Sequence, residues 1–73
     1  QNHDIIQSSE GFIYVANNNG VLEYDGIHWV LHPLPNKTIA RSLTASKDGK
    51  LFVGVQNGIG VFHNGSIRRL GLE

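Results

Sequence analysis

The sequence predicts an all-β protein made of two four-stranded antiparallel meanders, each with the pattern of one β-propeller blade. Three observations support this fold class: the chain repeats itself once, each copy contains three turns with glycine, and one strand of each copy is apolar at nearly every position. No stretch shows the roughly 3.6-residue apolar period of a helix over a helical length.

The repeat becomes visible when the chain is slid along itself until Val15 falls on Val53. Identical residues then occur at turns and in strands alike: Ser8/Ser46, Gly11/Gly49, Val15/Val53, Asn19/Asn57 and Gly20/Gly58. Bringing Asp25-Gly26 into register with Asn64-Gly65 requires one inserted residue. A repeat of this length is typical of a propeller blade.

Glycine turns divide each copy into strands, because hairpin turns need positive φ, which Gly, Asn and Asp tolerate best. The predicted turns are Glu10-Gly11, Asn19-Gly20, Asp25-Gly26, Asp48-Gly49, Asn57-Gly58 and Asn64-Gly65. Three turns in each copy make four strands. Runs rich in β-branched and aromatic residues place them at 12–16, 21–24, 27–31, 51–55, 60–63 and 66–70, with inner strands near 3–7 and 39–45.

The segment 33–37 contains both prolines of the chain, and proline suits neither a helix interior nor a central strand. We therefore expect it to link the two units. The first blade is predicted at residues 1–35 and the second at residues 36–73.

The strand after the first turn of each copy indicates how the units pack. Residues 12–16 and 51–55 do not alternate between apolar and polar side chains, so both faces of these strands should be covered. A propeller meets this need because each blade packs between two neighbours, but a closed ring holds roughly 4 to 8 blades. We therefore expect the chain to contact further blades of the same propeller or further copies of itself, as a homo-oligomer with head-to-tail interfaces.

Charge and composition argue against several classes of partner. Lys plus Arg and Asp plus Glu both number 6, so no basic excess favours nucleic acid or direct contact with a membrane surface. The absence of Cys excludes a disulfide framework and a thiolate zinc site.

Each unit resembles the two-component regulator propeller repeat. That repeat has an acidic residue and Gly, an apolar strand, an Asn-Gly hairpin, and an apolar and an aromatic residue before another Gly turn. The matching segments are Glu10-Gly11-Phe12-Ile13-Tyr14-Val15-Ala16, Asn19-Gly20-Val21, Tyr24-Asp25-Gly26, Asp48-Gly49-Lys50-Leu51-Phe52-Val53-Gly54, Asn57-Gly58-Ile59 and Phe62. Tyr14 and Phe52 stand where the family commonly has Trp. The resemblance covers nearly the whole chain.

The resemblance implies a role in signal transduction. Such repeats form the periplasmic sensor region of hybrid two-component regulators in Bacteroides-like bacteria, which detect oligosaccharides and signal to a histidine kinase that controls transcription. The chain itself is then expected to be no enzyme and to need no cofactor. Two alternatives stay open: a propeller used only for protein contact, and a fragment of a propeller polysaccharide lyase or hydrolase.

Three residues are candidates for ligand binding. Trp29 with His28 and His32 forms the most sugar-like cluster, because sugar rings stack on aromatic faces and need polar neighbours, although packing against the adjoining blade is the more common role for such a Trp on an outer strand. Arg41, on a predicted inner strand near the central channel, could hold an anionic ligand.

No catalytic residue and no metal site are predicted. On a strand, His28 and His32 would share a face at about 13 Å from one another, too far for one ion. Glu10, Asp25 and Asp48 each adjoin a turn glycine, so their carboxylates are expected to hold turns rather than to form a glycosidase pair.

Overall fold

Eight β-strands make up the fold. The computed structural model describes residues 2–34, 38–56, 58–63 and 65–70, with the backbone alone at Arg69. The strands are β1 (Asn2–Gln7), β2 (Ile13–Asn17), β3 (Gly20–Tyr24), β4 (Trp29–His32), β5 (Ala40–Ala45), β6 (Leu51–Val55), β7 (Gly58–His63) and β8 (Ser66–Arg69). Within these ranges no helix is long and apolar enough to cross a membrane.

The strands form two antiparallel meanders, which we call the first sheet (β1-β2-β3-β4) and the second sheet (β5-β6-β7-β8). The predicted all-β class and the two four-stranded sheets are therefore confirmed, and the arrangement is consistent with two propeller-like blades. The predicted boundary between residues 35 and 36 lies outside the described residues, as do Asn57 and Asn64 of the predicted turns.

The sequence repeat is also a repeat of strand register. Val15 pairs with Ile5 in the first sheet, and the equivalent residues Val53 and Leu43 pair in the second sheet. The two copies are therefore the same folding unit, and each residue of one sheet has a structural equivalent in the other.

Both inner strands carry an irregularity at the same place. The register shifts between Asn2 and Asp4 in β1, and between the equivalent residues Ala40 and Ser42 in β5. A shift of this kind bends a strand locally and increases its twist. Its repetition supports the equivalence of the two units.

The third turn corrects one detail of the predicted repeat. Tyr24 pairs with Trp29, and Phe62 pairs with Ile67, so the alignment that places Val15 on Val53 continues to the last strand. The predicted inserted residue is wrong, because the same number of residues separates the two members of each of these equivalent pairs.

The outer strand β4 begins two residues later than predicted. The Asp25 carboxylate accepts hydrogen bonds from the backbone N–H groups of Ile27 (2.9 Å) and His28 (2.8 Å). These bonds hold both residues in the turn, so the strand begins at Trp29.

The hydrophobic core lies between the two sheets. Its buried residues come from the facing sides of both sheets and from the segment that links them: Ala16, Val21, Leu34, Ala40, Leu43, Leu51, Val53 and Phe62. We call these facing sides the inner faces, and the opposite sides the outer faces. We expected both faces of β2 and β6 to be covered. In the described part of the chain, the facing sheet covers their inner faces, and no further sheet covers their outer faces.

Asp4 joins the two inner strands. One of its carboxylate oxygens accepts a hydrogen bond from the backbone N–H of Ile5 (2.9 Å), and the other accepts one from the backbone N–H of Leu43 (2.9 Å). The second bond crosses from β1 to β5 and satisfies an N–H group on the free edge of the second sheet.

Candidate functional site

An open cleft of about 650 Å³ lies between the sheets, where the β1–β2 turn approaches the β5–β6 turn. Ser8, Glu10 and Phe12 line it from the first turn, and Asp48 and Lys50 line it from the second. The cleft therefore lies between the two copies of the repeat and needs residues from both.

The two turns that border the cleft are built in the same way. The Ser8 hydroxyl accepts a hydrogen bond from the Phe12 N–H (3.2 Å), and the Ser46 hydroxyl accepts one from the Lys50 N–H (3.1 Å). A backbone bond of 2.8 Å in the opposite sense closes each turn. Ser8 and Ser46, identical in the repeat, thus give both borders of the cleft the same shape.

Asp48 acts within its own turn. Its carboxylate accepts a hydrogen bond from the Ser46 hydroxyl and lies 3.9 Å from the Lys50 ammonium nitrogen. The Ser46 bond, followed by the nearby Lys50 charge, lowers the pKa of Asp48 below its usual value. The predicted turn role is confirmed for Asp48 and Asp25, and Glu10 lines the cleft together with Asp48.

Three polar side chains form a hydrogen-bonded cluster on the inner face of the first sheet. The Tyr14 hydroxyl donates to Glu23 Oε2 (2.9 Å), and Glu23 Oε1 lies 2.7 Å from His32 Nε2. Both Glu23 and His32 are largely buried. We call these residues the Tyr14–Glu23–His32 cluster.

Burial is the main cause of a large upward shift in the pKa of the Tyr14 phenol. The hydrogen bond to Glu23 and the negative charge of that carboxylate act in the same direction. Tyr14 therefore stays neutral over a wide pH range and serves as a hydrogen-bond donor.

The cluster also contacts the second sheet. The Phe62 ring lies edge-on to Tyr14, with centroids 5.7 Å apart, and its centroid is 4.6 Å from that of His32. A buried aromatic residue of one copy thus packs against the polar cluster of the other. Tyr14 and Glu23 also line the floor of the cleft beside Phe62.

The Tyr14–Glu23–His32 cluster was not among the sites predicted from sequence, although part of it follows from the hairpin register. The turn at Asn19-Gly20 pairs Asn17 with Gly20, which places Tyr14 directly opposite Glu23. Cross-strand neighbours of this kind lie on one face within contact distance.

Trp29 and His28 lie away from the cleft. Trp29 begins β4, is 56% exposed and stacks on Tyr24 with ring centroids 4.6 Å apart. The His28 imidazole is exposed, with Nδ1 3.8 Å from Asp25 Oδ2. Hydrogen bonds from His28 and Ile27 lower the pKa of Asp25.

Arg41 lies on the other sheet. It is exposed at the register shift of β5, whereas Trp29 and His28 belong to the outer side of the first sheet. None of these three predicted residues is among those that line the cleft. Their role in ligand binding stays a prediction, with His28 and Trp29 adjacent and Arg41 apart from them.

The histidines have separate local roles. His3 Nε2 lies 2.6 Å from Asn18 Oδ1, His32 bonds Glu23, and His28 adjoins Asp25. In the described part of the chain, no group of three or more His, Cys, Asp or Glu side chains could hold a metal ion.

The chain matches no family model, no curated protein and no solved structure. The topology and the site define an all-β protein of two equivalent antiparallel sheets with a polar and aromatic cleft between them.

Proposed function

We propose that the chain forms two blades of a β-propeller in the periplasmic sensor region of a bacterial two-component regulator. In this proposal it detects oligosaccharides without enzymatic activity and passes the signal to a histidine kinase. The resemblance of each unit to the two-component regulator propeller repeat supports the sensor role. The observation that carries the binding role is the cleft between the two equivalent turns.

The chemistry of the cleft suits a sugar. Sugars present apolar C–H faces to aromatic rings and hydroxyl groups to charged and polar side chains. Phe12 supplies a half-buried ring, while Glu10, Lys50 and His63 supply the polar groups. The volume of about 650 Å³ lies within the roughly 300–1,000 Å³ typical of small-molecule sites.

The Tyr14–Glu23–His32 cluster contains residue types that a lyase or hydrolase could use, but its arrangement supports binding. A tyrosine base needs a lowered pKa, whereas burial raises the pKa of Tyr14. Glu23 is held by two hydrogen-bonding partners, and His32 packs on Phe62. These side chains satisfy one another, so the enzyme alternative is the weaker one.

A titration with neutral and acidic oligosaccharides tests the proposal, using calorimetry and amide chemical shifts as readouts. We expect saturable binding with shift changes at the two cleft turns. Glu10→Gln and Lys50→Gln should each weaken binding by about tenfold, as expected for a hydrogen bond to a charged group. Trp29→Ala and Arg41→Ala are the matched controls, because both positions are exposed and lie outside the cleft.

Two results would overturn parts of this proposal. If no oligosaccharide of the panel binds at millimolar concentration, the sensor role falls and the protein-contact alternative replaces it. If Trp29→Ala or Arg41→Ala abolishes binding while the cleft variants bind normally, the ligand lies on the surface predicted from sequence and not in the cleft.

A further inference from the structure

The outer faces of both sheets expose apolar side chains whose equivalents are buried in the other sheet. Ile5 is 66% exposed on the first sheet, whereas its equivalent Leu43 is 8% exposed on the inner face of the second. Ile59 is 41% exposed on the second sheet, whereas its equivalent Val21 is fully buried. Because the backbone register is the same, the difference in exposure arises because the facing sheet covers Leu43 and Val21, whereas no sheet in the described part of the chain covers Ile5 and Ile59.

Strand pairing defines the two outer faces. That of the first sheet carries Ile5, Ile13, Leu22, Tyr24, Trp29 and Leu31. That of the second sheet carries the apolar residues Phe52, Ile59, Val61 and Leu70 together with Ser42, Thr44 and, beside Val61, Arg68. Neighbouring apolar side chains predominate on both faces, with Arg68 as a charged residue on the second, and contiguous exposed apolar surface marks an interaction site.

The interface inside the chain shows what fits each outer face. Leu43, Leu51 and Phe62 dock from the second sheet onto the inner face of the first, and their equivalents are Ile5, Ile13 and Tyr24. Every equivalent is an apolar or aromatic residue of similar size. The outer face of the first sheet therefore presents residues of similar size and polarity, at equivalent positions, to those that the second sheet packs into the internal interface.

The receiving surface is repeated as well. Tyr14, Glu23 and His32 receive Phe62 inside the chain, and their equivalents on the outer face of the second sheet are Phe52, Val61 and Leu70. These three residues occupy the same strand positions as Tyr14, Glu23 and His32, and all three are apolar. This surface is thus suited to receive an aromatic residue such as Tyr24.

We propose that the outer face of the second sheet docks onto the outer face of the first sheet of a second copy of this chain. The arrangement repeats the head-to-tail packing of the two sheets within one chain, with Tyr24 of the second copy in the place of Phe62. The proposal is continuous with the internal interface and is independent of oligosaccharide binding. Three copies would assemble six sheets and four copies eight, within the roughly 4 to 8 blades of closed propellers.

Two charge substitutions at exposed positions test the proposal. Ile59→Arg blocks the outer face of the second sheet, and Ile5→Arg blocks that of the first. Both positions lie outside the internal core, so circular dichroism should show folded chains. Sedimentation is then measured over a range of concentrations for wild type, for each variant and for an equimolar mixture.

Head-to-tail docking predicts a specific pattern. Wild type should associate as its concentration increases. Each variant alone should be a monomer, because every copy carries the same blocked face and the intact face has no complementary intact face to bind. The mixture should form a species of twice the monomer mass and no larger one, since a single productive interface remains. Gln56→Arg, which adds the same charge in an exposed turn, should associate like wild type.

Other outcomes overturn the proposal. A wild-type monomer at every concentration means that the outer faces do not bind a second copy. Association of Ile59→Arg or Ile5→Arg alone means that like faces pair, and a mixture that stays monomeric excludes head-to-tail docking. Polydisperse aggregates that persist in both variants indicate nonspecific association. A failure of saccharide binding with the expected masses overturns the sensor proposal alone.

Discussion

The two sheets are equivalent in backbone and register, but they differ in the chemistry of one face. The first sheet buries a hydrogen-bonded cluster against the second, whereas the second carries three apolar residues at the same positions on its outer face, of which Leu70 is exposed, Phe52 half-buried and Val61 buried. The equivalent pairs are Tyr14/Phe52, Glu23/Val61 and His32/Leu70. The repeat thus defines the fold of each unit, while the residues at these positions decide how its face contacts a neighbour.

The comparison also shows that the apolar residues of one sheet are buried by contact with the other sheet. Leu43 and Val53 are buried because the first sheet covers them, and Ile5 is exposed because nothing described covers it. An isolated blade would expose one apolar face on each side. Stability should therefore depend most on residues that cross between the sheets.

The largest difference is expected between Phe62 and its equivalent Tyr24. Phe62→Ala removes a buried ring that contacts Tyr14 and His32 and should cost about 3 to 5 kcal/mol in unfolding free energy. Tyr24→Ala removes the stack on Trp29 and should cost about 1 kcal/mol in the monomer. Urea unfolding at low protein concentration measures both, and equal losses would contradict the dominant role of the inner faces.

A second comparison concerns two turn glycines of the first sheet. Gly20 has φ 141°, and a Cβ added there would overlap the His32 carbonyl oxygen and lie 2.9 Å from the Pro33 Cα. Gly11 has φ 93°, with open space around an added Cβ. Gly11→Ala should therefore cost about 1 kcal/mol for strain alone, and Gly20→Ala roughly 2 to 4 kcal/mol for strain and overlap. Similar losses in urea unfolding would show that the backbone relaxes at Gly20.

The turn chemistry explains why so much of the fold could be predicted from sequence. A glycine with positive φ is a local requirement, and Gly11 (93°) and Gly65 (83°) both meet it. The strands follow because the turns separate them. The absence of an inserted residue was not predictable in this way, because it depends on the side-chain hydrogen bonds of Asp25 and on the pairing of the last strands.

The site was harder to predict because it depends on contacts between the sheets. The cleft forms where Glu10 and Lys50 approach from different copies, and no local pattern reports that approach. The residues singled out from sequence, Trp29, His28 and Arg41, were chosen by side-chain type. Side-chain type indicates what a residue could bind, but it does not indicate which other residues lie on the same surface.

A third comparison concerns the Tyr14–Glu23–His32 cluster: a variant that removes one hydrogen-bonding partner is compared with a variant that replaces all three polar side chains by apolar ones. Glu23→Val alone deprives the Tyr14 hydroxyl and the His32 ring of their partner and should cost about 1 to 3 kcal/mol. The triple variant Tyr14→Phe, Glu23→Val, His32→Leu reproduces the apolar set of the second sheet. It should recover stability to within about 1 kcal/mol of wild type, because no polar group is left unpaired.

Thermal and urea unfolding of the two variants test this difference. A triple variant less stable than Glu23→Val would mean that the cluster stabilises the interface through its shape against Phe62 and not through satisfied hydrogen bonds. Equal stability of Glu23→Val and wild type would mean that water replaces the lost carboxylate.

The smallest expected effect is a pH dependence of stability. It distinguishes Tyr14, whose phenol can ionise, from its equivalent Phe52, which cannot. In a Tyr24→Phe background Tyr14 is the one tyrosine of the chain, so phenolate absorbance reports it alone. Because burial and Glu23 raise its pKa in the folded state, its ionisation should occur well above the ordinary value of about 10.

The sign of the stability change follows from this shift. The folded chain holds the Tyr14 proton more tightly than the unfolded chain, so the contribution is complete below about pH 10 and is lost as the pH rises above it. Tyr14→Phe should therefore flatten the decline of stability above pH 10 and leave its pH dependence near neutrality unchanged. A phenolate titration with the same midpoint in the folded and urea-unfolded chain would show that the hydroxyl is solvated, and that the face of the first sheet is not protected by the second.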